Sequence, residues 1–507
     1  MLGKSPRSVR VRSNGRSRSG GGVGRRLRWL AVLPALLIAP AVQSASLIRG
    51  DVGPRLPTNI GPRSNPIDTV GPRFDPSFHT APGGYGNGQV GGTGASGTGG
   101  ASGGASTAGN SGGTGTTKSH VARHPRNSAP AGNALRSIPD EIVFELNGNR
   151  SNQQLIGLLN SLRLALLETR PIPLINTTFY RARILDGTSV PTKMRTAERT
   201  GAFRTLQPNY LFRTVQAAAS AAAPAADPSQ YAAAKLRLDE AHGLARGDNV
   251  PVAIIDSGID VGHPELAGVV EKSFDALNAK DGPRSHGTAI AGIIAGHARL
   301  DGAAPAVRIL AARAFSDAQG STVSIITSVD WAAAQGARVI NMSFAGPSDP
   351  ALGRVLAGAH QKGVVLIAAS GNAGPKSPPL WPAADPHVIA VTATDYADHL
   401  FPMANRGSHV AIAAPGVDVL VANAGGGYKL ETGTSFSAAF VSGVAALVLE
   451  RRPELTPDAV KKVLLGTAHN LGAKGRDDLF GAGLMDAYEA VNAVAKPADA
   501  ALQVPVR

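Results

Sequence analysis

From Lys235 onward, short apolar runs alternate with helical segments, and this alternation constrains the fold more than any other feature of the chain. The runs at 250–255 and 363–369 are continuous in apolar residues rather than alternating apolar with polar. A strand that is apolar along its whole length is buried on both faces, which is typical of a parallel sheet covered by helices. We therefore predict a doubly wound, mostly parallel α/β domain over 235–495, followed by a tail at 496–507.

The first 135 residues have the composition of a leader and a linker. Residues 1–45 combine nine basic residues and no acidic one with an apolar run and then small residues, which is the order of a secretory signal peptide. An uncleaved anchor or a buried helix are the alternatives, and a start of translation after Met1 stays open. Residues 46–135 are rich in Gly, Pro and Ser and are predicted to be a disordered linker. This pattern predicts an exported protein, secreted or periplasmic, without a stable membrane span.

The formal net charge of +14 lies mostly in these first 135 residues. Residues 136–507 are near neutral and contain no basic run interleaved with aromatic residues, which argues against nucleic acid as a partner. The chain has no cysteine, which excludes disulfides, thiolate metal sites and a cysteine nucleophile.

A second, smaller α/β unit is predicted over 136–216. It contains a strand-like run at 142–146, helical apolar spacing over 152–167 and a final strand at 207–214. The Ala-rich segment 217–234 follows it and is predicted to be a tether.

Four polar residues stand on Gly-containing turns beside predicted strands or helices. Asp256 ends a buried strand, where a carboxylate is costly unless it has a partner. His286 and Ser435 each open a helix, a position where either residue alone is more often a cap. Taken together, an acid, a His and a Ser in this chain order indicate a nucleophilic triad, and Asn372 follows another buried strand.

At these residues the sequence resembles the subtilisin-like serine peptidases, the subtilases, over about 235–495. The resemblance is carried by VAIIDSGIDVGHPEL, SHGTAIAGIIAG, VVLIAASGNAGP and ETGTSFSAAFVSGVAAL. It implies a subtilisin-like fold and an endopeptidase that hydrolyses peptide bonds through an acyl-enzyme intermediate. By the same resemblance, Ser435 is the nucleophile, His286 the general base and Asp256 the residue that orients it, while Asn372 donates to the oxyanion.

The resemblance also implies that a polypeptide substrate binds as an added strand. Leu380 stands where many members have Gly, which predicts a shortened pocket that prefers small or medium apolar side chains. The receiving edges are predicted at Ser343, Phe344, Ala345, Gly346 and Gly320, and the pocket walls at Ala369, Ser370, Gly371 and Leu380.

The unit at 136–216 lies where subtilases carry an inhibitor-like propeptide, and PNYLFR at 208–213 looks like the final strand of one. The resemblance implies a ferredoxin-like domain that assists folding and, as an intramolecular inhibitor, blocks the cleft of a zymogen. Self-processing is then predicted in the tether, 217–234. The alternative is that the unit stays attached as a structural domain.

We expect no cofactor. The stretch GIIAGHARLDGAAP lacks an obvious loop of oxygen ligands, which predicts no strong calcium site there and leaves a weak structural calcium site elsewhere open. Three other functions fit the sequence less well. A pseudo-peptidase would not need the four residues above, an esterase needs a G-x-S-x-G elbow where Ser435 lies in GTSFS, and a Ser-Glu-Asp peptidase needs Glu at His286.

Overall fold

The computed structural model describes residues 137–216, 230–279 and 284–495. The predicted signal peptide, the linker, residues 217–229 of the tether and the tail at 496–507 lie outside the described residues. None of the helices in the described ranges is long and apolar enough to cross a membrane.

Residues 137–216 form the N-terminal module, an antiparallel sheet with the strand order β4-β1-β3-β2 and two helices on one face. The alternation along β1 explains this layering, because Ile142 and Phe144 pack on the helices while Val143 faces the rest of the protein. The βαββαβ order is the expected ferredoxin-like one. The elements are β1 (Ser137–Leu146), α1 (Asn152–Ser161), β2 (Leu164–Ile172), β3 (Thr177–Ile184), α2 (Val190–Glu198) and β4 (Phe203–Thr214).

The helix predicted over 152–167 is wrong at its C-terminal end. Ser151 begins the helix with a capping box, but the helix stops at Ser161 and Arg163 takes a left-handed conformation with φ of 53°. Leu164 then starts a strand because the backbone of this segment pairs with β3. The apolar residues therefore continue beyond the helix without continuing its structure.

The C-terminal module, comprising 230–279 and 284–495, is built on seven parallel strands in the order β13-β12-β11-β9-β5-β7-β6. Both faces are covered, since Val252 and Ile254 of β5 pack in one apolar cluster while Ala253 and Ile255 pack in another. The predicted doubly wound architecture is thus confirmed.

The bounds of its elements are as follows. The strands are β5 (Pro251–Asp256), β6 (Val270–Asp275), β7 (Arg308–Arg313), β8 (Gln319–Ser321), β9 (Val339–Met342), β10 (Phe344–Ala345), β11 (Val365–Ala369), β12 (Val388–Thr394), β13 (Val410–Pro415), β14 (Val419–Asn423) and β15 (Gly427–Glu431). The helices are α3 (Tyr231–Lys235), α4 (Leu238–His242), α5 (Ser285–Ala295), α6 (Thr322–Ala334), α7 (Pro350–Gln361), α8 (Thr434–Arg451), α9 (Pro457–Gly466) and α10 (Ala487–Asn492).

A buried carboxylate fastens the loop that follows α5. Glu265 is fully buried and accepts hydrogen bonds from the backbone N–H groups of Ala298, Arg299 and Leu300 at 2.8–3.2 Å, and from the Tyr428 hydroxyl at 2.6 Å. Burial by itself raises the pKa of Glu265, but these hydrogen bonds outweigh it, so the pKa is lowered. The loop therefore presents donors to a fixed anion.

Candidate active site

Asp256 and His286 meet at the carboxyl end of the parallel sheet. Asp256 is the last residue of β5 and His286 is the second residue of α5. The His286 Nδ1 lies 2.9 Å from each carboxylate oxygen of Asp256, and the Ser257 N–H donates to the same carboxylate at 2.7 Å. Both side chains are buried, and Nε2 of His286 has no hydrogen-bond partner among the described residues. A proton held on Nδ1 by the carboxylate leaves Nε2 ready to accept another.

Gly287 allows α5 to come this close to β5. A β-carbon at Gly287 would lie 2.2 Å from the carbonyl oxygen of Gly258, and the Gly287 N–H donates to Ser257 Oγ at 3.2 Å. A larger residue would push the helix, and His286 with it, away from Asp256.

Ser435 stands in the first turn of the central helix α8 and is fully buried. Its hydroxyl donates to the carbonyl oxygen of Val215 and contacts that of Ser343 at 3.1 Å. No hydrogen bond joins it to His286 within the described ranges, so the hydroxyl is turned toward Val215 instead of the imidazole. The positive end of the α8 dipole favours negative charge that develops at this point.

Asn372 follows β11 and is oriented by the start of α8. Its Oδ1 accepts from the N–H of Thr434 at 3.2 Å and from the Thr434 hydroxyl at 2.9 Å. Its Nδ2 is buried and has no partner in the described part of the chain. The position of a β-carbon on Gly433 would be 2.9 Å from this Nδ2 and 2.8 Å from the carbonyl oxygen of Val215. Nδ2 of Asn372 is thus an unpaired donor close to the carbonyl oxygen of Val215, which the Ser435 hydroxyl contacts.

The end of β4 occupies the groove in which the sequence predicts a substrate strand. It runs antiparallel between β8 on one side and β10 on the other. The N–H of Val215 then donates to the carbonyl oxygen of Ser343 at 3.1 Å. The paired residues are Phe212 with Gly320, Arg213 with Ala345 and Thr214 with Phe344.

Phe212 fills a pocket between the two edges. Its ring is fully buried and packs edge-on against Phe344, with centroids 6.0 Å apart. A β-carbon on Gly346 would lie 2.3 Å from the Phe212 ring. Gly346 itself exchanges hydrogen bonds with Trp381. This predicted edge residue therefore supplies space for the ring and does not pair with β4.

The predicted pocket walls lie in the loop after β11 and before β12. Ala369 ends β11, and Ser370 and Gly371 follow it. A β-carbon on Gly371 would be 3.2 Å from Cδ1 of Leu380. The Trp381–Pro382 peptide that follows is cis. The choice of substrate side chain by these residues stays a prediction.

Two polar anchors between the modules were not predicted. Gln207 of β4 donates to the buried carboxylate of Asp349 at 2.7 Å and accepts from the N–H of Ala351 at 2.9 Å, at the start of α7. Glu145 of β1 is buried and pairs with Arg354 of α7. The partners are 142 and 209 residues apart in the chain, so no local pattern could reveal them.

The described residues contain no group of three or more His, Cys, Asp or Glu side chains arranged to hold a metal ion. The lack of a strong calcium site in the stretch GIIAGHARLDGAAP stays a prediction. The backbone groups that this stretch directs at Glu265 are N–H groups and not carbonyl oxygens.

Comparison with known proteins agrees with this geometry. Subtilisin from Bacillus pumilus is 36% identical over 254 residues, which cover 48% of this chain and 91% of that protein. Thermitase from Thermoactinomyces vulgaris is 32% identical over 271 residues, covering 52% of this chain and 95% of that protein. The protein is a subtilisin-like serine endopeptidase. The profile described as the subtilase family matches residues 247–483, and the chain belongs to that family.

Among solved structures, the crystal structure of fervidolysin from Fervidobacterium pennivorans, a keratinolytic enzyme related to subtilisin, superposes with a TM-score of 0.59. The two chains are 23% identical over 71% of this chain and 62% of that one. At this identity the likeness concerns the fold alone, and it confirms the predicted subtilisin-like fold.

Proposed function

We propose that this endopeptidase is made as a zymogen, in which the N-terminal module fills the active site and the bond between Val215 and Gln216 is the first one to be cut. The main support for this proposal is the path of β4. This strand lies between the two receiving edges and brings the carbonyl of Val215 to the hydroxyl of Ser435. A chain that fits its own cleft in the manner of a substrate is its own first substrate.

In the proposed reaction, Ser435 Oγ adds to the carbonyl carbon of Val215 while Nε2 of His286 takes the hydroxyl proton. Asp256 keeps the other proton on Nδ1 and stabilises the imidazolium. The carbonyl oxygen becomes an oxyanion, which accepts from Nδ2 of Asn372 and from the backbone N–H of Ser435.

The C–N bond between Val215 and Gln216 then breaks, and His286 returns its proton to the departing nitrogen. A water molecule gives a proton to the same imidazole while its oxygen attacks the carbonyl carbon of the Val215 ester. The bond from this carbon to Ser435 Oγ then breaks, and His286 returns the proton to Oγ. The products are a carboxylate on Val215, an amine on Gln216 and a free Ser435. This bond lies just before the tether in which the sequence predicts processing.

The cut would not by itself open the cleft. The pairing of β4, the Phe212 pocket and the anchors at Gln207 and Glu145 all lie on the N-terminal side of the bond. We therefore propose that the cleaved module stays bound as an inhibitor. The same contacts allow it to assist folding, because they add its sheet to the edges of the C-terminal module.

We also propose that the protein is exported. The support is the basic, apolar and small-residue order of residues 1–45, and an enzyme that hydrolyses polypeptides is safest held inactive until it has left the cell. Fractionation of producing cells, with detection of the C-terminal module, tests this point separately from the chemistry.

Mass spectrometry of the N-terminal peptide tests the zymogen proposal. We expect the C-terminal module of the wild-type protein to begin at Gln216, either as glutamine or cyclised to pyroglutamate. We expect the Ser435→Ala protein to keep the bond intact. Ser437→Ala is the matched control, since this hydroxyl of the same helix contacts the carbonyl oxygens of Ala414 and Pro415 and should be dispensable. Cleavage of purified Ser435→Ala at the same bond, or a mature end far from Gln216, would overturn the proposal.

A further inference from the structure

We propose that Glu431 makes this enzyme select a neutral side chain that donates a hydrogen bond, glutamine above all, immediately after the scissile bond. The inference rests on the proposed function, because Gln216 occupies the leaving side only if the bond before it is the one cut. It concerns the part of the cleft that holds the residue after the scissile bond, which the predicted pocket walls do not reach.

The contact that carries the inference lies just beyond the nucleophile. Nε2 of Gln216 donates to Oε2 of Glu431 at 2.6 Å. Glu431 is the last residue of β15 and precedes Gly433 and Ser435 in the chain. With Gln216 in place the carboxylate is only 5% exposed, so the contact is made at a desolvated charge and not at a freely hydrated one.

The second oxygen of the same carboxylate is already engaged. Nζ of Lys429 lies 2.5 Å from Oε1 of Glu431. Lys429 therefore balances the charge of Glu431, and Oε2 is left for one further donor. A neutral amide is the donor that suits Oε2 best. A cationic side chain would meet Lys429, and an acidic one would bring a second carboxylate to a buried carboxylate.

The carboxylate is also held rigidly. β15 pairs with β14 along its length, and Glu431 lies opposite Val419 at the end of this hairpin. The hairpin leads directly into the turn before α8, so the position of Glu431 is fixed relative to Ser435. An acceptor held in place in this way selects between substrates without a rearrangement of the enzyme.

The leaving-side residue departs when the acyl-enzyme forms. Glu431 should therefore affect only substrates with an amino acid on that side, and it should act on kcat/KM, which reports the steps up to acylation. A peptide p-nitroanilide carries no side chain there. Its hydrolysis is expected to be independent of Glu431, and it provides an internal reference for active enzyme.

The test uses the mature enzyme and quenched peptides that contain Phe-Arg-Thr-Val followed by Gln, Leu, Lys or Glu and three alanines. We expect the wild type to favour Gln over Glu by at least about tenfold in kcat/KM, with Leu and Lys between them. Glu431→Gln should reduce the ratio of Gln to Glu by about tenfold or more, because the substituted amide can donate to an acidic substrate. The p-nitroanilide of Phe-Arg-Thr-Val should be hydrolysed equally by both enzymes.

Asp418→Asn is the matched control, because this nearby carboxylate contacts Thr432 instead of Gln216. It should leave the order of substrates unchanged. Wild-type rates that agree within about twofold for Gln, Leu and Glu would overturn the inference, and this measurement needs no variant to fold. A Glu431→Gln enzyme that keeps the full preference would overturn it as well. Failure of the wild type to hydrolyse even the p-nitroanilide would instead refute the proposed function.

Discussion

At the scale of the single residue, Asn372 divides its two amide atoms between two tasks. The oxygen accepts from Thr434 at the start of α8, whereas the nitrogen stays unbonded beside Gly433. The local contact thus fixes the direction in which the donor points. This division also makes it possible to separate the two tasks by substitution.

We expect Asn372→Ala to lower kcat by about 10²–10³-fold, which is the loss known for the corresponding donor of subtilisin, with a much smaller change in KM. Asn372→Asp keeps the acceptor for Thr434 but loses the donor. It should be as slow as the alanine variant and yet keep more of the wild-type melting temperature. Steady-state kinetics and calorimetry on mature protein make the comparison. An Asn372→Asp enzyme with wild-type kcat would show that Nδ2 has no part in the reaction.

The sequence predicts the active-site residues because each stands on a local motif at the end of a strand or the start of a helix, and the structure brings Asp256 and His286 into contact. The direction of the Ser435 hydroxyl could not be foreseen, since it depends on Val215, 220 residues away. The contact of Glu431 with Gln216 spans 215 residues and was missed for the same reason.

At the scale of the element, the groove between β8 and β10 accepts a strand whose buried side chain is aromatic. Gly346 is central to this choice, since a methyl group there would overlap the ring of Phe212. We expect Gly346→Ala to lower kcat/KM at least about tenfold for peptides with Phe at the fourth residue before the cut bond. Peptides with Ala at that position should change little. Equal losses for both peptides would point to a general distortion of the edge.

The loop after α5 illustrates what apolar periodicity leaves undetermined. The sequence predicted that it lacks ligands for calcium, but it gave no hint that Glu265 binds its backbone. We now propose that this loop needs no cation, because a positive ion would have to displace three N–H donors and a hydroxyl from the carboxylate. A chelator should then leave the melting temperature of the Ser435→Ala protein unchanged.

The lowered pKa of Glu265 predicts a pH dependence. The folded-state pKa lies below the ordinary value of 4.5, so the stabilisation is fully present above that value and is lost as the pH falls through the folded pKa. Glu265→Gln should lower the free energy of unfolding at neutral pH by about 1–3 kcal/mol. The difference between the two proteins should shrink in acid. Urea unfolding of both proteins in the Ser435→Ala background measures it, and a difference that is constant with pH would contradict this account.

At the scale of the whole molecule, the two modules share buried polar contacts as well as an apolar interface. Glu145 is almost fully buried in this interface, whereas Arg354 is 30% exposed. Arg354→Ala should therefore destabilise the uncut Ser435→Ala protein by about 1–3 kcal/mol, since it leaves a buried carboxylate without its cation. In the mature enzyme without the N-terminal module, Arg354→Ala should leave the melting temperature unchanged. Equal effects on both forms would mean that Arg354 acts within the C-terminal module.

Since β4 belongs to the same chain as the nucleophile that it reaches, the first cut in the proposed maturation would be a unimolecular event. Its half-time should stay the same when the protein is diluted. Activity toward an added peptide has a different rate law, because a freed enzyme can destroy modules still bound to other molecules. A freshly refolded sample should consequently show a lag in peptide hydrolysis that shortens as the protein concentration rises. The half-time for the appearance of the Gln216 terminus should not change with concentration.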